Sequence, residues 1–131
     1  MAQTKKLHFI VIDDSKLDCF IAEKVIKSTW GSESIKLFLQ AKDAFEYISA
    51  APVDDQVNTV IFVDIQMPVM NGFQFIEAFE KLPSDITAHY TIYVISSTIN
   101  ENDLEKVRNF ASVKQFLKKP ITGNNLSILL T

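Results

Sequence analysis

Short runs of β-branched and aromatic residues recur along the chain with almost no polar residue inside them. They are Phe9-Ile10-Val11-Ile12, Ile35 to Leu39, Val60-Ile61-Phe62-Val63 and Ile92 to Ile95, with a weaker fifth at Val113 to Leu117. A strand with one wet face alternates apolar with polar. A near-continuous apolar run needs cover on both faces, the condition met in a parallel sheet packed between helices. The intervening stretches have helical spacing. Leu17, Ile21, Val25 and Ser28 share one face with Phe20 beside them, and Ala41, Ala44, Phe45 and Ile48 share another. Phe75, Ile76 and Phe79, then Leu104, Val107 and Ala111, then Leu126, Leu129 and Leu130 repeat the pattern. These stripes are expected to face the core. Strand followed by helix five times predicts a (βα)5 doubly wound sandwich on a five-stranded parallel sheet, as one domain over residues 1–131. Five strands are too few for an eight-fold barrel. Asn100, three residues before Asp103, and Thr122, ahead of Gly123-Asn124-Asn125, are expected helix caps, and Trp30-Gly31 an expected helix end. Pro52 to Thr59 and Pro83 to Tyr90 read as surface loops.

Composition narrows the function. The 131 residues are 47% hydrophobic, enough for a core, and 13 basic against 16 acidic residues give a net charge of −3. That balance offers no field for a phosphate backbone, so direct nucleic-acid binding is not expected. The single cysteine, Cys19, cannot form an intrachain disulfide and reads as a small packing residue. No apolar run approaches the ~20 residues that cross a bilayer. The early run Leu7 to Ile12 stops at Asp13-Asp14 without the small-residue cleavage site of a signal peptide. A cytoplasmic protein without membrane insertion is expected. The only glycines, Gly31, Gly72 and Gly123, leave no P-loop or dinucleotide turn. His8 and His89 lack metal-ligand spacing.

Open α/β sheets bind ligands beyond the carboxyl ends of their strands. There stand Asp13-Asp14 after the first run, Asp64 after the third, Ser96-Ser97-Thr98 after the fourth and Lys118-Lys119-Pro120 after the fifth. Singly, each has a plain structural role; Asp14 or Ser15, for example, can cap the helix starting near Lys16. Together they form a constellation. Adjacent carboxylates repel unless a cation sits among them, and oxygen ligands of this kind suit Mg²⁺. A hydroxyl and an ammonium nearby would donate to the equatorial oxygens of a transferred phosphoryl group. Asp64, held at the end of a rigid strand, is a candidate carboxylate nucleophile.

Ile12-Asp13-Asp14-Ser15, Val63-Asp64-Ile65-Gln66-Met67-Pro68, Asn71-Gly72, Ser97 and Lys119-Pro120 together resemble the receiver domain of bacterial two-component response regulators, over roughly Leu7 to Leu130. Ser97 precedes Lys119 by about the 22 positions the family places between hydroxyl and lysine. The resemblance implies strand order 2-1-3-4-5 and a phospho-accepting switch rather than a turnover enzyme. It implies that Asp64 accepts a phosphoryl group from a phosphohistidine on a sensor histidine kinase or phosphotransfer protein. Asp14 and Asp64 would bind Mg²⁺ through carboxylates, Gln66 through its backbone carbonyl, and Asp13 largely through water. Lys119 and Ser97 would contact the phosphoryl oxygens, Phe116 would be the switch aromatic, and Lys119–Pro120 would be a cis peptide. The output would be an altered surface around Leu104 to Phe116.

Some positions depart from the family pattern. Thr98 stands where a smaller residue is usual, Gln66 and Ile99 occupy positions that tune dephosphorylation, and the last helix is short. With no output segment after it, the chain is expected to be a stand-alone receiver. Three other readings compete. A Mg²⁺-dependent aspartyl phosphatase usually carries a second acid where Gln66 stands. A flavin or nucleotide binder would need glycines the chain lacks. A phosphorylation-independent adaptor would not need the acidic residues, hydroxyl and lysine.

Overall fold

The computed structural model describes residues 6–30 and 34–130. Five strands, β1 (Lys6–Ile12), β2 (Ile35–Phe38), β3 (Val57–Asp64), β4 (Tyr90–Ser96) and β5 (Val113–Lys118), form one parallel sheet in the order β2-β1-β3-β4-β5. The helices are α1 (Lys16–Trp30), α2 (Ala41–Ala50), α3 (Gly72–Glu80), α4 (Ser84–Thr87), α5 (Glu101–Arg108) and α6 (Gly123–Leu130). The (βα)5 architecture and strand order are as expected. α4 is an extra turn inside the stretch from Pro83 to Tyr90, which is therefore only partly loop. β3 begins three residues before the expected apolar run, because Val57 to Thr59 pair with Lys6 to His8 and lengthen the central strands. None of the described helices is long and apolar enough to cross a membrane.

The two faces of the sheet are packed by opposite recipes. Ile10, Ile12, Ile61, Val63, Ile92 and Val94 make one face aliphatic, and the helices above it supply aromatic Phe75 and Phe79. The other face carries a row of rings, Phe9, Phe62 and Tyr93, with centroids 6.5 and 5.6 Å apart. The helix over that row supplies Cys19 and Ala22 along with Ile26. Over the ring row, large side chains thus meet two small ones from α1, as dense packing requires.

That complementarity corrects one expectation in part. The stripe Leu17, Ile21, Val25 reaches the core only at its far end: Val25 packs partly buried against the ring-row face and Ile21 is half-buried, but Leu17 is 65% and Phe20 51% exposed, while Cys19, Ala22 and Ile26 are the buried residues of the helix. Both stripes have helical spacing, and the ring row beneath α1 accommodates the smaller one. Ala111 likewise lies exposed beyond the end of α5, and Phe110 packs on the core in its place. The stripes of α2 and α3 point inward as expected, with Phe45 partly buried. Asn100 caps α5 by accepting from the Asp103 amide at 2.9 Å, and Thr122 caps α6 by accepting from the Asn125 amide at 3.1 Å. Gly31 and the side chain of Leu130 lie outside the described residues.

Candidate functional site

Parallel register decides what meets at the carboxyl edge. Ile12 pairs with Val63 and Asp64 with Ile95, so the acidic ends of β1 and β3 come level at the centre of the sheet. β4 and β5 slip by one residue between Ile92 and Tyr93, and beyond that bulge Ser96 lies opposite Lys118. Ser97 and Lys119 each stand one residue beyond that last pair, and the Lys119 amide donates to the Ser96 carbonyl at 2.8 Å. The interval between the two therefore follows from sheet register.

Lys119 is the hub. Its Nζ lies 2.8 Å from Asp13 Oδ2, 2.8 Å from Asp18 Oδ2 and 3.2 Å from Asp64 Oδ2. The second oxygens of Asp13 and Asp64 accept from the backbone amides of Ser15 and Gln66, each at 3.0 Å. Asp13 and Asp64 are thereby fixed at both ends of the carboxylate and are buried, whereas Asp14 is exposed. Ligand oxygens of Asp13, Asp14 and Asp64 all lie within 4.8 Å of one another, the one group of three potential metal ligands among the described residues.

Three carboxylates around one ammonium, with the Asp14 carboxylate beside Asp13 and Asp64, leave an excess of negative charge in a partly desolvated pocket. Burial pushes the Asp13 carboxyl above its ordinary value, against the lowering effect of its bonds to Lys119 and Ser15; the Asp64 charge adds to the rise. Burial alone would lower the Lys119 ammonium, but its bonds to Asp13 and Asp18 and the surrounding negative charge hold it above the usual lysine range. Cys19, whose thiol donates to the Asp13 carbonyl at 3.3 Å, is pushed up to about 11 by burial and the nearby Asp13 and Asp18 charges. An all-carboxylate donor set with one exposed member open to water fits a hard divalent cation.

The supports of β3 are local. Asn71 caps α3 in a capping box with Gln74, each side chain accepting from the other residue's amide at 2.9 Å. Gly72 lies so close under the end of β3 that a Cβ there would sit 2.6 Å from the Asp64 carbonyl oxygen. Only glycine lets α3 start against the strand that carries Asp64.

Asp13, Asp14, Asp64 and Lys119 converge, and the Lys119–Pro120 peptide is cis. Ser97 lies exposed one residue past β4, and the alternation of Tyr93 and Ile95 along that strand puts it on the side carrying Asp64. Ser96 is fully buried and accepts from the Thr98 amide at 3.3 Å. Gln66 is exposed, and Phe116 is half-buried against the aliphatic face of the sheet. Thr98 and Ile99 are exposed beside Ser97. Ser15, not Asp14, caps α1 by accepting from the Asp18 amide at 3.2 Å. Sequence reasoning missed Asp18. Its only signal was an acid three residues after a capping serine, which reads as a favourable charge in a first helical turn.

Several known proteins resemble this chain in sequence and fold. The profile of the response regulator receiver domain matches residues 9–131. A response regulator receiver protein from Dyadobacter fermentans is 33% identical, with a TM-score of 0.86 over 95% of this chain and 94% of that one. A two-component response regulator from Cytophaga hutchinsonii is 25% identical, with a TM-score of 0.81 over 95% and 94% of the two chains. A protein-glutamate methylesterase/protein-glutamine glutaminase from Treponema pallidum is 29% identical over 101 residues, 77% of this chain. The match spans only 23% of that relative's length. With the family profile covering nearly the whole chain and a five-stranded parallel sheet of matching fold, the chain belongs to the response regulator receiver domain family.

Proposed function

We propose that this protein is a phosphorylation-driven switch in which Asp64 takes a phosphoryl group from a phosphohistidine on a sensor histidine kinase or phosphotransfer protein. The observation that carries this reading is the position of Asp64: buried at the end of the central strand, one oxygen on the Gln66 amide and the other on Lys119. In the transfer, an Asp64 oxygen forms a bond to phosphorus as the P–N bond to the partner's imidazole breaks, and the imidazole nitrogen leaves with the electron pair. Lys119 would follow the charge onto the phosphoryl oxygens, and Ser97 would donate a hydrogen bond to one of them. Asp13, Asp14 and Asp64, with the Gln66 backbone carbonyl, would hold Mg²⁺. That ion would supply the positive charge that lets a dianionic group approach a cluster of acids.

The reading makes the protein a regulatory device rather than a turnover enzyme. Its output would be conformational, through Ser97 and Phe116 to the surface around Leu104 to Phe116. In the resting arrangement Phe110 of that surface stacks on Phe73 of α3, with Lys106 over the Phe73 ring. Ser112 donates its amide and hydroxyl to Glu80 at 2.9 and 2.6 Å. These contacts tie the region to α3 and would have to rearrange in any such change.

Intact mass after incubation with a small phosphodonor tests the proposal. A single phosphoryl adduct is expected with Mg²⁺ and not without it, and not in Asp64→Asn. Ser97→Ala is expected to form it more slowly, and Ser96→Ala to form it at the wild-type rate. Absence of both the adduct and Mg²⁺ binding would favour a phosphorylation-independent adaptor.

A further inference from the structure

We infer that Asp18 is a positioning residue that holds Lys119 in the resting protein and surrenders it to the phosphoryl group, so that it competes with phosphorylation. The inference rests on the phosphoacceptor role proposed for Asp64.

An ammonium has three N–H donors. In this protein three carboxylates surround it, at 2.8, 2.8 and 3.2 Å, enough to engage every donor before any phosphoryl group arrives. A phosphoryl group on Asp64 brings new anionic oxygens that need the same ammonium, and charge-assisted bonds of that kind are strong. At least one carboxylate must give way. Asp64 gives way by itself, because the oxygen that takes the phosphoryl group is no longer part of a carboxylate; a second donor for the phosphoryl oxygens must come from Asp13 or Asp18. Asp13 is poorly placed to release it: its side chain is 1% exposed and is also held by a backbone amide. A buried carboxylate that lost its ammonium would have no water to replace it. Asp18 is different. Its side chain is 35% exposed and stands on the first turn of α1, with the lysine reached across the strand ends. Water can take over its oxygen at low cost.

Two effects of Asp18 then oppose phosphorylation. Its bond must be broken for Lys119 to engage the phosphoryl oxygens fully, and its negative charge adds to the repulsion of a dianionic group. A residue that merely held the lysine ready would act with the opposite sign.

The test is binding of trifluoroberyllate, a phosphoryl mimic, in the presence of Mg²⁺, measured by ¹⁹F NMR and calorimetry on the full chain. Asp18→Asn is expected to tighten the mimic by up to about fivefold, the range of a partly exposed ion pair. It should also raise the rate of adduct formation from a small phosphodonor. Asp18→Glu, which keeps the charge, should return both values toward wild type. Unchanged or weaker binding of the mimic by Asp18→Asn, in a background where wild type binds it, would overturn the inference and leave the phosphoacceptor role standing. Failure of wild type to take up either Mg²⁺ or the mimic would overturn both.

Discussion

Val69 shows how much local geometry the acidic edge imposes. It is a β-branched residue at φ 67°, in the left-handed region, within the loop that leads from Asp64 to α3. Its side chain is 87% exposed, so almost no packing compensates the backbone cost. Val69→Gly is therefore expected to stabilise the protein by about 0.5–1 kcal/mol, read from the urea midpoint, after allowing for glycine's greater unfolded-state entropy. Three residues on, Gly72 has the opposite character. A methyl group there would press on the backbone of Asp64 and Ile65. Gly72→Ala is expected to lose about 1–3 kcal/mol and to slow adduct formation, because the displaced strand end carries Asp64, the proposed acceptor. Asn71-Gly72 was legible in the sequence as a motif. That Gly72 is needed because α3 begins against Asp64 was not, since the contact joins segments that only the fold brings together.

At the scale of the element, α1 carries the main lesson. Two apolar stripes share this helix, and the one with the larger side chains lies at the rim of the interface, with Leu17 exposed, Ile21 half-buried and Val25 partly packed on the core. Hydrophobic spacing alone selects Leu17, Ile21 and Val25; the ring row of Phe9, Phe62 and Tyr93 selects Cys19, Ala22 and Ile26. The two orientations differ in what a substitution does. Ala22→Leu is expected to cost about 1–3 kcal/mol by overpacking. Leu17→Ser is expected to stay within about 0.5 kcal/mol of wild type. A larger loss for Leu17→Ser than for Ala22→Leu in a urea titration would mean that α1 sits with its larger stripe inward. In α2 and α3 no second stripe competes, and there the buried face matches the sequence spacing.

For the whole molecule, the central question is how a fold tolerates three carboxylates around one ammonium with a fourth, Asp14, close by. In metal-free protein the answer depends on pH. The Lys119 pKa lies above its ordinary 10.5 in the folded state. The stability it contributes is complete below that value and is lost as pH rises through the folded pKa. Asp13 works the other way. Its folded pKa lies above 3.8, so the folded state holds the extra proton, and stability falls as pH rises from 3.8 through the folded value. Urea midpoints measured in chelator are expected to decline above about pH 10.5 in wild type, and not by this route in Lys119→Met. At neutral pH, Mg²⁺ at a hundred times its dissociation constant is expected to add about 2.7 kcal/mol to wild type. The increment should be smaller in Asp14→Asn and Asp64→Asn, which lose candidate ligands.

The order of residues along the chain is enough to establish the alternation of strand and helix, the parallel sheet and the acids, hydroxyl and lysine at the strand ends. Each of these is a local pattern, readable from apolar runs, from helical spacing and from the polar residues that close each run. The tertiary structure alone decided which stripe of α1 is buried, why position 72 must be glycine, and that Asp18 shares Lys119 with Asp13 and Asp64. Those outcomes depend on the size of side chains across an interface and on which chain ends come level. Both are properties of packing and register between segments far apart in sequence.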